Sequence, residues 1–190
     1  RITQNADTLI NRLIEPRRRL FTVCNALRYT SLGTAHTLTL LRCLARTTAS
    51  AAAASGQAVI NITADTQANS VAGALAANDI VVVELSDGTF QQMVVSSRSS
   101  LAITMTGNFN ANVNAGARIW FFGVIGDGHQ TLSPATSATT DYPAGTNKDA
   151  SVFESNGPDE PLIIQSTNAT AAGIIQHASA VYCAFGRGGL

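Results

Sequence analysis

The stretch DIVVVELSDGTFQQMVVSS, residues 79–97, decides the fold that the sequence predicts. Two runs rich in β-branched residues flank Ser86, Asp87 and Gly88, and Asp-Gly readily adopts the positive φ values of a tight turn. The stretch therefore predicts an antiparallel hairpin. Further runs of strand character occupy residues 57–63, 101–105 and 117–123. Strands at this spacing favour a small antiparallel β-barrel or β-sandwich in a mainly β protein.

The strand pattern begins before this hairpin, at residue 36. Apolar and polar residues alternate over 36–47, which predicts another strand. We therefore place a β domain at residues 36–125, between an N-terminal segment, 1–35, and a C-terminal segment, 126–190.

The N-terminal segment is predicted to be a helical arm. Its apolar residues recur at helical spacing; they are Leu9, Ile10, Leu13, Ile14, Leu20, Phe21, Cys24 and Leu27. Because Pro16 lacks a backbone donor, we expect one helix from residue 5 to about 14 and a second from Pro16 to about 29. Arg17, Arg18 and Arg19 then lie in the first turn of the second helix, where the macrodipole disfavours cations. We expect an acidic group to face them.

The C-terminal segment is predicted to begin as an extended arm. Residues 126–151 are rich in Gly, Pro, Ser, Thr and Asp, and such a stretch is too long for an ordinary loop inside a compact domain. Two apolar runs follow, at 161–167 and 171–187, and predict a last pair of strands joined around Asn168 and Ala169.

Charge is scarce in this chain and unevenly placed. Only 13% of the residues are charged and the net charge is zero, whereas about 25% of residues are charged in an ordinary soluble domain. Residues 1–46 carry a net charge of +6 and residues 47–190 a net charge of −6. A surface with few charges has little protection against association, so we expect much of it to be covered by partners. Segments of opposite sign favour contacts between neighbouring subunits, or between the basic segment and the rest of its own chain.

The sequence predicts no enzyme, no metal ion and no cofactor. The titratable residues do not fall into catalytic or ligand spacings; the closest approach is Gly126-Asp127-Gly128-His129, which is better explained as a glycine turn. Scattered acids after residue 140 lack the spacing of a calcium loop. Three cysteines, Cys24, Cys43 and Cys183, predict neither a disulfide framework nor a metal site. No run of 18 apolar residues is present, so no membrane span is expected.

Binding to another protein is the function that the remaining features favour. The interface candidates are Arg17, Arg18, Arg19, Leu20, Phe21, Trp120 and Tyr142. Three arginines in a chain of zero net charge are a weak footprint for nucleic acid, so an acidic protein surface is the better partner for them. A carbohydrate- or receptor-binding module is the alternative from another class, with Trp120, Tyr142 and Tyr182 as stacking surfaces.

Five runs of this sequence resemble the small β-barrels of tailed-bacteriophage structural proteins. They are HTLTLLRCLARTTAS, GQAVINIT, AANDIVVVELSDGTFQQMVVSS, LAITMTGN and AGARIWFFG. The resemblance covers residues 36–123. Where that group has glycine before the aspartate, this chain has Asn78, which also accepts turn geometry. Such barrels occur in head-decoration, cement and tail components. The resemblance thus implies assembly without catalysis, with terminal arms that reach neighbouring subunits.

These observations together predict a capsid decoration (cement) protein on the phage head surface, assembled in the host cytoplasm. Its expected partners are neighbouring major-capsid subunits and copies of itself, in a trimer or another symmetric cluster. A tail or head-to-tail connector component is the alternative within the same class. It would form a ring or stacked rings.

Overall fold

The computed structural model describes residues 9–32, 38–63, 77–122, 130–132, 139–142, 153–167 and 172–183. In these ranges the regular structure is β, arranged in antiparallel sheets. The strands are β1 Leu9–Ile14, β2 Phe21–Leu32, β3 Leu38–Arg42, β4 Ala45–Thr48, β5 Val59–Asn61, β6 Ile80–Glu84, β7 Phe90–Ser99, β8 Ala102–Met105, β9 Arg118–Phe122, β10 Gln130–Leu132, β11 Thr139–Tyr142, β12 Phe153–Pro158, β13 Leu162–Thr167 and β14 Ala172–Cys183.

The chain divides into two compact units, one of them inserted into the other. The terminal unit contains Arg1–Arg42 and Gly128–Leu190, and the inserted unit contains Cys43–Asp127. The chain leaves the terminal unit after β3 and returns to it at β10, and these two strands are antiparallel neighbours. It enters the inserted unit along β4 and leaves along β9, which are also antiparallel neighbours. The strands before and after the insertion, β3 and β10, are therefore neighbours, and so are the first and last strands within it, β4 and β9.

The inserted unit is a half-barrel, a single sheet in the order β4-β9-β6-β7-β8-β5. The predicted hairpin is confirmed as β6 and β7, with Glu84 paired to Phe90 at the turn. The sheet curls until its outer strands meet: the Ser50 amide donates to the Asn61 carbonyl and the Thr63 amide to the Thr48 carbonyl, each at 2.8 Å.

Alternating residues on the strands of the half-barrel build its core. Val81 and Val83 of β6 lie in one cluster with Ile119 and Phe121 of β9, and each of the four is fully buried. Because side chains alternate across a strand, this single face collects the apolar residues of all six strands. Burial of each such side chain stabilises the fold by about 1.5–3 kcal/mol.

The terminal unit contains two sheets that share one core. One sheet has the order β1-β13-β3-β10; in the other, β2 pairs with β11 and β12 and also with the long strand β14. Their buried side chains form one cluster, with members from both sheets: Ile14, Leu38, Leu40, Leu162, Ile164, Cys24, Leu27, Tyr29 and Phe153.

The predicted N-terminal helices are wrong, because residues 9–14 and 21–32 are the strands β1 and β2. Alternation is visible towards the end of β2, where Leu27 and Tyr29 are buried while Arg28 between them is exposed. β2 also contains β-branched and aromatic residues, which favour strands. Its partner β14 lies about 150 residues away in sequence, so this pairing is invisible to a local pattern.

The predicted C-terminal arm and final strand pair also need correction. The stretch 126–151 contains β10 and β11, which pair with β3 and β2 inside the terminal unit, and β12 follows it and pairs with β2. The runs at 161–167 and 171–187 do contain strands, but β13 pairs with β1 and β3 whereas β14 pairs with β2. Residues 168–170, where the joining turn was expected, lie outside the described residues. The strand predicted over 36–47 is divided into β3 and β4, one in each unit.

Candidate protein-binding surface

Arg17, Arg18 and Arg19 lie in a tight turn between β1 and β2, which we call the arginine turn (residues 16–20). Pro16 is buried and the three arginines are exposed. The Leu20 amide donates to the Arg17 carbonyl at 3.1 Å and closes the turn. Three cationic side chains therefore project from a short piece of ordered backbone.

Asp159 fixes the backbone of this turn. Arg19 has a φ of 61°, a left-handed conformation that costs a residue with a Cβ about 1–2 kcal/mol. The Arg19 amide donates to Asp159 Oδ1 at 2.7 Å, and the Asp159 amide donates to the Leu20 carbonyl at 3.0 Å. Asp159 thus binds the main chain of the turn, whereas the acidic group expected beside the arginines was inferred from a helix that these residues do not form.

Residues of β12 and of the loop after it support the contact between Asp159 and Arg19 through a network of hydrogen bonds around Thr22. The buried Thr22 amide donates to Ser155 Oγ at 3.0 Å, and the Thr22 hydroxyl donates to the Glu160 carbonyl at 2.7 Å. The Ser155 hydroxyl donates to the Gly157 carbonyl, and the Gly157 amide donates to Glu160 Oε2, each at 2.7 Å. The sequence pattern did not indicate that these residues support the turn. The two adjacent acids, Asp159 and Glu160, were the one signal in the sequence for a hydrogen-bond network here.

Tyr182 holds one arginine side chain in place. The guanidinium carbon of Arg17 lies 4.5 Å from the centre of the Tyr182 ring, within the range of a cation–π contact. The Tyr182 hydroxyl donates to the Glu15 carbonyl at 3.0 Å. Strand β14 and the end of β1 therefore orient Arg17, while Arg18 stays exposed.

The other interface candidates are less available. Leu20 and Phe21 are half-buried beside the arginine turn, and the side chain of Tyr142 lies outside the described side chains. Trp120 is fully buried on β9. Arg118 covers it, with its guanidinium carbon 5.1 Å from the Trp120 ring centre, and is itself paired with Glu84 at 2.9 Å.

The buried position of Trp120 bears on the carbohydrate-binding alternative. Its Nε1 is buried and has no hydrogen-bond partner among the described residues, and Phe90 packs edge-on against the ring at a centroid distance of 5.7 Å. A ring enclosed in this way offers no face for a sugar to stack on. Tyr182 carries Arg17 on its ring. Two of the three proposed stacking surfaces are thus occupied within the chain.

Cys24 and Cys43 are both buried free thiols. Burial raises the pKa of Cys24 to about 12, which keeps its thiol protonated at neutral pH. Cys43 is buried, and its thiol donates to the Ala45 carbonyl at 3.0 Å. His36, Asp127 and His129 lie outside the described residues. Within the described part of the chain, no three His, Cys, Asp or Glu residues come close enough together to hold a metal ion.

A shallow depression of about 380 Å³ lies at one end of the half-barrel. Small and polar residues line it: Ala52, Ala53, Gln57, Ala58, Val59 and Asn61. Val59 is 43% exposed at its rim.

Comparisons with protein families, with curated proteins and with solved structures found no match to this chain. None of the described segments forms a helix with the length and apolar character that crossing a membrane requires.

Proposed function

We propose that this chain is a structural protein of a tailed-bacteriophage virion, a capsid decoration protein that binds and stabilises neighbouring major-capsid subunits. In this proposal the half-barrel corresponds to the small β-barrel of that group. The runs of sequence that carry the resemblance supply all six of its strands, from β4 to β9. The terminal unit, which the resemblance does not cover except at β3, supplies the contact surface.

The observation that carries the proposal is the ordered arginine turn. A flexible charged segment loses conformational entropy when it binds, and that loss weakens binding. Here Asp159 fixes the backbone and Tyr182 orients Arg17, so much of the ordering has occurred before any partner arrives. Arginine binds carboxylates through two parallel hydrogen bonds, which suits an acidic patch on a capsid subunit.

Pelleting with empty phage heads tests this function. Heads assembled from the major capsid protein of the same genome, without this chain, are mixed with the purified protein and sedimented. The wild-type chain is expected to pellet with the heads at low salt. The variant Arg17→Glu/Arg18→Glu is expected to remain in the supernatant, because charge reversal makes the contact repulsive.

Arg46→Glu is the control for a charge reversal at a residue outside the arginine turn. Arg46 is exposed on β4 in the other unit, so its reversal changes the net charge without touching the arginine turn. This variant is expected to pellet like the wild type. A wild-type chain that never pellets with heads refutes the decoration role. Sedimentation with isolated tails instead would move the protein to the tail or the head-to-tail connector.

A further inference from the structure

A second charged surface lies on the inserted unit, at the tip of the β6–β7 hairpin. Among the acids whose exposure the structure describes, Glu15 and Asp87 are the exposed ones. Glu15 adjoins the arginine turn in sequence. Asp87 lies at the hairpin tip (residues 85–89) of the inserted unit and is, among the described acids, the exposed one that does not adjoin the arginine turn in sequence.

The hairpin tip is ordered, as the arginine turn is. The Gly88 amide donates to the Leu85 carbonyl at 3.0 Å, and the Ser86 amide donates to the Asn112 carbonyl at 2.7 Å. Asp87 Oδ1 accepts hydrogen bonds from the Thr89 hydroxyl at 2.6 Å and from the Thr89 amide at 2.9 Å. These bonds from Thr89 lower the pKa of Asp87, so its carboxylate stays charged near neutral pH.

We propose that, in the protein free of phage heads, the arginine turn of one copy binds the Asp87 hairpin tip of a second copy, and that a capsid subunit displaces this copy from the turn. The two surfaces are opposite in charge and ordered in the free chain. Each copy has one of each, and each copy has a net charge of zero, so association adds no net repulsion. The inference rests on the proposed function insofar as it assigns a protein partner to the same arginine turn.

A contact between two different surfaces has a geometric consequence. It is heterologous, so successive copies add head to tail and either close into a ring or continue as an open chain. A closed ring of three copies is the simplest assembly that matches the trimer expected from sequence.

The alternative partner for three arginines is nucleic acid, whose binding draws on a wider basic stripe than one turn provides.

Sedimentation velocity on single and mixed charge-reversal variants tests the contact. Arg18→Glu alone sets a new carboxylate against Asp87, and Asp87→Lys alone sets a new ammonium group against Arg18. Each variant alone is expected to self-associate at least about tenfold more weakly than the wild type. An equimolar mixture of the two variants is expected to associate more strongly than either variant alone, with partial recovery if the ring has three copies, because such a ring keeps one repulsive contact. The mixture restores two attractive pairings, one between the two substituted side chains and one between the native Arg18 and Asp87.

A salt series and two further variants separate the effect of charge on self-association from any effect of the substitutions on folding. Raising NaCl from about 0.05 M to about 0.5 M is expected to weaken all of these contacts. Asp87→Asn keeps an oxygen that accepts from Thr89 but removes the charge, so it is expected to weaken association while circular dichroism stays unchanged. Arg46→Glu is expected to associate like the wild type.

Several outcomes would overturn the proposal. A wild type that stays monomeric, a mixture that stays dissociated, or single variants that associate normally would each do so. Loss of DNA binding in Arg18→Glu, with self-association unchanged, would overturn it in favour of nucleic acid.

Head binding and self-association are measured separately, so their failures are distinguishable. A chain that self-associates through these surfaces but ignores phage heads keeps this inference and loses the decoration role. A chain that binds heads as single copies does the reverse.

Discussion

Cys24 lies between the two sheets of the terminal unit, with only 1% of its surface exposed. Its thiol faces apolar neighbours and a carbonyl of the same strand, that of Ala26, at 3.8 Å. The odd number of cysteines predicted that the chain has no disulfide framework. The burial of Cys24 between the two sheets of the terminal unit follows only from the tertiary fold. An acidic neighbour of the arginines was expected from the macrodipole of a helix, but the arginines lie in a turn between two strands. The acid found at this turn, Asp159, depends on a contact across 140 residues.

The buried thiol predicts a pH dependence of stability. Burial raises the folded-state pKa of Cys24 to about 12, whereas an unfolded thiol ionises near about 8.5. Between these values the unfolded chain loses a proton that the folded chain keeps, so the free energy of unfolding falls as pH rises above about 9, by at most about 1.4 kcal/mol per pH unit.

Urea titrations of the wild type and Cys24→Ala at pH 8 and pH 10 measure this contribution. The wild type is expected to lose more stability than the variant between the two values, because alanine has no proton to lose. An equal loss in both proteins would show that Cys24 ionises normally in the folded state.

Among the elements of secondary structure, the β6–β7 hairpin was predictable and the N-terminal strands were not. The hairpin depends on contacts between residues a few positions apart and on a turn, Asp87-Gly88, with a strong local preference. β2 instead derives its conformation from β14, and β1 from β13, both at least 140 residues further along the chain. A helical spacing of apolar residues cannot reveal such partners.

Gly88 and Gly107 form a matched pair for testing the hairpin turn. A Cβ placed on either glycine meets no atom within 4 Å, but only Gly88, with a φ of 82°, has the left-handed conformation. Gly88→Ala is therefore expected to destabilise the protein by about 1 kcal/mol. Gly107→Ala is expected to be neutral or slightly stabilising, because alanine restricts the unfolded chain. Similar urea midpoints for the two variants would contradict the role of φ at this turn.

Asp159 variants test the support of the arginine turn. Asp159 itself has a φ of 64°, which asparagine tolerates better than alanine does. Asp159→Ala removes the acceptor of the Arg19 amide and is expected to cost about 1–2 kcal/mol in urea unfolding. Asp159→Asn keeps an acceptor oxygen and is expected to cost clearly less. If both variants were equally destabilised, the hydrogen bond from Arg19 would not be what orders the turn.

At the scale of the whole molecule, one unit interrupts the other between two paired strands. The sequence places a β domain in the middle of the chain, but the flanking segments were expected to be arms. They form the terminal unit together, since β1, β2 and β3 find their partners among β10 to β14. Composition alone could not show this, because turn-rich segments serve equally well as arms and as links between short strands.

The insertion predicts that the two units fold independently. Replacing residues 43–127 by a short Gly/Ser linker joins β3 to β10, which are already antiparallel neighbours. The shortened chain and the isolated fragment 43–127 are each expected to unfold cooperatively in urea. Loss of cooperative unfolding in both would mean that the division at Arg42 does not separate two stable bodies.

The central claim is that this chain works by binding capsid subunits through preformed surfaces. Cryo-electron microscopy of empty heads incubated with the purified chain tests it most directly. The predicted result is added density at regular positions on the shell, touching at least two capsid subunits, with the arginine turn at the contact. Bare shells beside unbound chain, at low salt and with excess protein, would contradict the claim.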